Sequence, residues 1–478
     1  MIPVVTPDEM ADIDAASPEP ATTLIARAGA AVARAAIDEM DGCFGRRVVV
    51  LAGPGANGAA GRVAARRLAL RGARTTVVDA SGVVGRLPDA DLVIDAAYGT
   101  ELRRPWTAPA TESTVLAVDL PSGVDPLTGC AIGRPLPAER TVTFAALKPG
   151  LLLGEGRRLA GRVEVVDIGL DVSSATAWLV TDDDISQMVP SRPVDAHKWQ
   201  SACWVVAGSS GMEGAAGLAA TAAQRAGAGY VRLSVPGGRA HDGPPEAVGW
   251  PLDRNFTVEP GEVARFASMV VGPGLGPSGE VAAGVRRIVA DTSVPMVVDG
   301  DGLKALGNGM PCRDRVFPVV LTPHDGEFES LTGDRPAPDR LRAARSGASA
   351  TGAVMLLKGP TTVVAAPDGR TLVVNTGDQR LATAGSGDVL AGIVGAFLAR
   401  GPTPYAPRRP EPTFMGDCWT AWPPPGWWPA IWRLDWWRPW SLWVLMDRWG
   451  SGPNAPHLGC HRPGGHRGQR CPFRRTGR

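Results

Sequence analysis

Thr383-Ala-Gly-Ser-Gly-Asp-Val-Leu390 leads small residues and two glycines into an Asp, where an apolar series then opens at helical spacing: Val389, Leu390, Ile393, Val394, Phe397 and Leu398. Such a turn leaves backbone N–H groups unpaired at a helix N-terminus, where the helix dipole also favours an anion. An Asp there would repel a phosphate unless it has its own task. The task that fits is to take a proton from a hydroxyl while the N–H groups hold the phosphoryl group which that oxygen attacks.

Working outward from this turn, two α/β units are expected. Residues 1–171 open with a helix capped by Thr6 with Pro7 at its first position. A helix over about 22–40 follows, then the apolar run Val48–Ala52, a glycine-rich turn and a helix over 61–70. Further strands are expected at 75–79, 92–95, 115–119, 140–144 and 163–166. Strands alternating with helices imply a doubly wound, Rossmann-like sheet. Residues 172–190 are polar and read as a linker. A second α/β domain spans 191–401, with strands expected at 204–207, 230–235, 269–271, 296–299, 319–322, 354–358 and 361–365.

From Pro402 the character changes. Residues 402–478 hold ten of the fifteen Trp, and Pro423-Pro-Pro-Gly-Trp-Trp-Pro suits neither a helix nor a central strand. This irregular Trp/Pro/Arg-rich tail reads as a shifted frame of GC-rich coding sequence with no evolved fold. Its Cys460-His461, His466 and Cys471 match no common zinc spacing. Its eleven Arg against four acids give +7, so the net +1 of the chain leaves residues 1–401 at −6. A mildly acidic body argues against a nucleic-acid surface. The seven Cys are scattered through a long chain, which argues against a disulfide framework. Neither a leader pattern nor ~20 uninterrupted apolar residues occur. A soluble cytoplasmic protein is expected, with no membrane partner and its oligomeric state open. Lysine is rare at four positions (148, 198, 304 and 358), so a lysine within a motif attracts notice.

In the first unit, Ala52-Gly-Pro-Gly-Ala-Asn-Gly-Ala-Ala-Gly61 follows a strand and opens a helix, the context of a phosphate- or dinucleotide-binding turn. Leu92-Val-Ile-Asp95 leads to a loop with Arg103 and Arg104, and Val118-Asp-Leu-Pro-Ser-Gly-Val-Asp125 closes another strand. Two Asp, an Asn and a Ser converging at strand ends would suit a hard monovalent cation. These loops resemble the NAD(P)HX epimerase family. The resemblance implies Asn57, Asp95 and Ser122 as potassium ligands. It implies contacts to the hydrated nicotinamide nucleotide from Ala56, Asn57, Gly58, Ala59 and Ala60, from Gly99, Thr100, Glu101, Leu102, Arg103, Arg104 and Pro105, and from Asp119. The family's turn carries Asn, Gly and Asp where this chain has Ala56, Ala59 and Ala60.

In the second unit, six segments precede the Asp388 turn in order: His197-Lys-Trp, Val206-Ala-Gly-Ser-Ser-Gly-Met-Glu-Gly-Ala-Ala, Val271-Gly-Pro-Gly-Leu-Gly276, Val298-Asp-Gly-Asp-Gly-Leu303, Leu321-Thr-Pro-His-Asp-Gly-Glu-Phe328 and Lys358-Gly-Pro-Thr-Thr362. The ordered set resembles the ADP-dependent NAD(P)HX dehydratase domain, a ribokinase-like α/β fold. The resemblance implies Asp388 as the catalytic base, also touching the hydrate, with Ala215, Gly276 and His324 lining the hydrate pocket. Lys358, Gly359, Pro360, Thr361, Thr362 and Gly387 would hold the nucleotide. Arg380 replaces a family glycine beside it. The implied activity is repair of hydrated NAD(P)H, by epimerisation and by ADP-dependent dehydration to NAD(P)H with release of AMP and phosphate. ADP is the co-substrate, and Mg2+ and K+ are the ions. A small-alcohol kinase of the ribokinase type and a partly inactive nucleotide-binding protein stand as alternatives.

Overall fold

The structure, a computed structural model, describes residues 1–102, 104–188, 192–238, 243–308 and 312–401. Arg103 and the whole tail 402–478, with its Cys and His residues, lie outside the described residues.

The first sheet has six parallel strands in the spatial order Arg74–Asp79, Arg47–Ala52, Leu92–Ala96, Thr114–Val118, Arg140–Phe144 and Arg162–Val166. The chain reverses direction across the sheet between Arg47–Ala52 and Leu92–Ala96. That switch point opens a crevice at the carboxyl ends of the two strands, where such sheets bind ligands. Apolar residues of helices Pro7–Ala16, Ala21–Glu39 and Ala56–Ala69 pack with one face of the sheet, while Ala80, Leu87, Ala97 and Ala138 close the other. The first helix starts with the expected cap: Glu9 N donates to Thr6 Oγ1, and Thr6 N donates to Glu9 Oε2.

The second sheet has eleven strands. Its parallel block runs Val354–Leu357, Val319–Leu321, Met296–Val298, Ser268–Val271, Ala202–Val206, Tyr230–Ser234 and Val248–Gly249. Here the switch point lies between Ala202–Val206 and Ser268–Val271. Beyond Val354–Leu357 the sheet continues through Thr362–Ala365 and Thr371–Val374. Two strands from the first two hundred residues complete it. Ala177–Leu179 pairs parallel with Thr371–Val374, and Ile2–Val4 pairs antiparallel with Ala177–Leu179.

Residues 172–190, expected as a linker, therefore carry that strand and the helix Asp182–Met188. Met1 through Gly401 fall within one compact unit. One apolar cluster joins Leu120, Val124, Leu151, Leu152 and Leu153 of the first half to Met355, Leu357 and Val373 of the second.

The helix that follows the opening motif spans Ser386–Arg400 and packs on helix Glu213–Arg225 and strand Ser268–Val271. Its glycines explain how it approaches so closely. A Cβ at Gly392 would run into the carbonyl of Ala219, and Gly395 O accepts from Ser268 Oγ at 2.7 Å.

Candidate active sites

Asp388 stands in the first turn of helix Ser386–Arg400. Gly385 caps this helix at φ 88°, a left-handed conformation that suits glycine. Five elements bring charge to the same place. Lys358 follows strand Val354–Leu357, and its Nζ lies 2.8 Å from Asp299 Oδ1 and 3.5 Å from Glu327 Oε2. Asp299 follows strand Met296–Val298, is 2 % exposed, and accepts from Thr322 Oγ1 at 2.6 Å. A Cβ on Gly387 would sit 3.4 Å from Lys358 Nζ and 3.5 Å from Asp299 Oδ2, so the helix start rests against this pair. Burial and the neighbouring Asp299 push the Asp388 carboxyl up to about 6; Lys358 opposes the shift, and Asp301 and Glu327 add to it. Burial works against the Lys358 ammonium, but Asp299 and then Glu327 outweigh it and hold its pKa above the ordinary lysine value.

The expected pocket residues join this network. Gly276 N donates to Asp301 Oδ2 at 2.9 Å. Ala215 lies in the first turn of helix Glu213–Arg225, against Gly274 across the switch point. His324 caps helix Asp325–Thr332. Its Nδ1 accepts from Gly326 N at 3.0 Å and Glu327 N at 3.3 Å, and its own N–H donates to Glu327 Oε2 at 2.9 Å. With Nδ1 accepting, the proton of a neutral His324 belongs on Nε2. Thr361 is buried, with its hydroxyl committed to Leu152 O at 2.5 Å, and Thr362 Oγ1 donates to Gly359 O at 3.4 Å. Arg380 pairs with Asp378, whose carboxyl falls to about 2 through hydrogen bonds from the Arg380 side chain and backbone.

The second site surrounds the switch point of the first sheet. Ala56, Asn57, Gly58, Ala59 and Ala60 form the first turn of helix Ala56–Ala69, after Gly55. Ala60 is 2 % exposed and sits in the apolar cluster. Asn57 Nδ2 donates to Val118 O at 3.0 Å, and Asn57 lies against Gly99. Asp95 is fully buried; its Oδ1 accepts from Ser122 Oγ at 2.6 Å and Ala97 N at 3.3 Å, and its Oδ2 accepts from Ser122 N at 2.8 Å. Burial raises the Asp95 pKa against these hydrogen bonds. Glu101 approaches Gly55, Leu102 is buried, and Thr100, Arg104 and Pro105 lie on the same loop.

Asp119 adopts φ 69°, a conformation uncommon outside glycine and concentrated at functional sites. Its Oδ1 accepts from Lys148 Nζ at 2.6 Å and from Thr143 Oγ1 at 2.9 Å. Lys148 is 2 % exposed and also donates to Phe144 O at 3.1 Å and Ala146 O at 3.3 Å. Asp14 faces the same pair. Burial raises its pKa, Lys148 lowers it and Asp119 raises it.

Family comparisons divide the chain in the same way. Residues 203–408 match the model described as NAD(P)H-hydrate dehydratase, and residues 21–83 and 78–150 match YjeF-related protein N-terminus. A bifunctional NAD(P)H-hydrate repair enzyme of Salinibacter ruber is 35 % identical, aligned over 80 % of this chain and 85 % of its own. The enzyme of the same name from Mycobacterium tuberculosis is 38 % identical over 75 % and 80 %. The chain belongs to this repair-enzyme family. Among solved structures, the ADP/ATP-dependent NAD(P)H-hydrate dehydratase of Bacillus subtilis, co-crystallized with ATP/Mg2+, is 29 % identical, covering 47 % of this chain and 81 % of its own at a TM-score of 0.40.

Set beside the family's motifs, the structure adds residues that the sequence reading left without roles. Asp299, Asp301 and Glu327 belong to the segments Val298–Leu303 and Leu321–Phe328, whose sequence gives them no role of their own. Lys148 stood out only as a rare residue type, and Asp14 carried no signal. Two of the four lysines, Lys148 and Lys358, prove to be the buried or nearly buried partners of an Asp.

Proposed function

We propose that this chain repairs hydrated NAD(P)H at two sites. In the second half, Asp388 takes the proton of the C6 hydroxyl as that oxygen attacks the terminal phosphorus of ADP. The bond to the bridging oxygen breaks and AMP leaves. The phosphorylated carbon then loses phosphate as a proton leaves the adjacent ring carbon, restoring the double bond of NADH or NADPH. The observation that carries this reading is Asp388 itself: a carboxyl pushed up to about 6, in the first turn of a helix, with Lys358 alongside. A base with a pKa near the working pH is both available and strong enough to act. Lys358 and the N–H groups at 385–387 stabilise charge on the transferred group, so catalysis rests on positioning and electrostatics.

Lys358–Thr362 and Gly387 hold the nucleotide, while Ala215, Gly276 and His324 border the hydrate. Among the described residues, no group of three or more acidic, His or Cys side chains is placed to hold a metal ion. Magnesium would accompany the nucleotide phosphates.

In the first half, Asp119 and Lys148 form the acid/base pair that lets C6 exchange its hydroxyl between ring faces. The hydrate lies against Ala56–Ala60, Gly99–Pro105 and Asp119. Potassium would be held by oxygen atoms of Asn57, Asp95 and Ser122. The buried Asp95 carboxyl and its raised pKa fit such a cation, whose charge would favour the ionised form. No described helix is long and apolar enough to cross a membrane.

The deciding experiment mixes the protein with chemically hydrated NADH and ADP. Reduced-nicotinamide absorbance should return, and faster when both hydrate epimers are present than the dehydratase half alone allows. No recovery, together with phosphorylation of a vitamin alcohol, would install the small-alcohol kinase reading instead.

A further inference from the structure

One side chain of the first half reaches two loops of the second. Arg157 lies on the short helix Gly156–Leu159 of the first half. Its Nη1 donates to Pro360 O at 2.7 Å, and its Nη2 donates to Asn375 O at 2.5 Å and Gly377 O at 2.9 Å. Pro360 lies within the segment assigned to the nucleotide. Asn375 and Gly377 lie in the loop that follows strand Thr371–Val374, the loop that also carries Asp378 and Arg380. Thr361 closes the contact from the other side by donating to Leu152 O at 2.5 Å.

The base of this bracket is firmly held. Gly156 N donates to Gly129 O at 2.8 Å, Gly150 N to Pro126 O at 2.7 Å, and Leu151 N to Lys148 O at 3.0 Å. Lys148 in turn holds Asp119. The backbone from Lys148 to Arg157 thus runs from the Asp119–Lys148 ion pair to the side chain that holds both loops.

We propose that Arg157 is a positioning residue for the adenine nucleotide, supplied by the first half to hold two loops of the second half in their binding geometry. This rests on the dehydratase reading above. A guanidinium is a planar fork of five donors, and here it fixes three backbone carbonyls from two separate loops. Loops ordered in advance spare the nucleotide the entropy of ordering them. Arg157 donates to backbone carbonyls of Pro360, Asn375 and Gly377, so its loss falls on nucleotide binding rather than on the chemical step. The arrangement also gives a reason for carrying both activities on one chain: the dehydratase loops are finished by the epimerase half.

The test uses the full chain and three variants, Arg157→Ala, Arg157→Lys and Arg158→Ala, the last a matched loss of an exposed neighbouring guanidinium. ADP binding is measured by calorimetry without hydrate, and dehydration by steady-state kinetics. In Arg157→Ala the ADP dissociation constant and KM rise about tenfold while kcat and the epimerisation rate stay within about twofold. Arg157→Lys falls between, because one ammonium cannot span the three carbonyls, and Arg158→Ala matches the parent. An ADP dissociation constant within about twofold of the parent in a natively folded Arg157→Ala overturns the proposal. If Arg157→Ala fails to fold, Arg157→Lys and Arg157→Gln are judged on the same binding criterion. A parent chain that binds ADP yet leaves hydrate untouched would refute the dehydratase reading while the binding comparison still decides the role of Arg157.

Discussion

A helix dipole ordinarily favours the charged form of an Asp in the first turn. Asp388 runs against that rule because burial and Asp299 outweigh it. The consequence for rate is direct: the base must be ionised, so kcat/KM for dehydration should fall about tenfold per pH unit below about pH 6. Asp388→Ala should abolish turnover while ADP still binds, and unchanged turnover would remove Asp388 as the base. Stability follows the opposite sign. The folded pKa lies above the ordinary 3.8, so ionising Asp388 opposes folding, and this penalty grows as pH rises from 3.8 to about 6 and stays constant above. Asp388→Asn should therefore raise Tm most above about pH 6, with the gain shrinking towards pH 4; an equal gain at all pH values would contradict the shift.

Lys148 makes a second argument at this scale. With 2 % exposure of its side chain and Asp119 at 2.6 Å, removing it strands a buried carboxylate. Lys148→Ala should cost about 3–5 kcal/mol in chemical denaturation and stop epimerisation, leaving the ADP affinity of the other half nearly intact. Asp388 was legible in the sequence because its signals are contiguous: glycine turn, Asp, helical period. The ion pairs of Asp299 and Glu327 with Lys358, and of Lys148 with Asp119, join residues dozens of positions apart, and no local pattern announces such a pairing.

Elements show the same division between local and distant information. Val48–Ala52, Leu92–Asp95 and Val354–Lys358 were readable as strands because parallel strands covered on both faces are short apolar runs. Ile2–Val4 and Ala177–Leu179 were not, since three residues hold too little pattern and their pairing partners lie about 170 residues or more apart in sequence. The N-terminal strand is nevertheless structural. Val4 and Val5 are fully buried, and Val5 N donates to Leu147 O at 2.9 Å. Deleting residues 1–5 should lower Tm by on the order of 5 °C, from the lost apolar burial alone. Unchanged melting would mean that the second sheet ends at Ala177–Leu179 in solution.

At the scale of the molecule, the sequence announced two α/β halves through their strand–helix alternation but not how they join. The shared cluster from Leu151 to Val373 is built of apolar residues that read as the ordinary core of either half. The tail poses the converse problem: a strong compositional signal without a place in the described fold. The dehydratase match ends at residue 408, and helix Ser386–Arg400 already packs on Glu213–Arg225 and Ser268–Val271. Residues 402–478 show neither a helical nor a strand period in their sequence, and core packing draws on complementary apolar faces. A chain ending at Gly401 should then keep its Tm within about 2 °C, keep its affinity for ADP, and gain solubility as ten Trp leave. A drop of more than about 5 °C would show instead that residues 402–478 cover a face of the second sheet and earn their place in the fold.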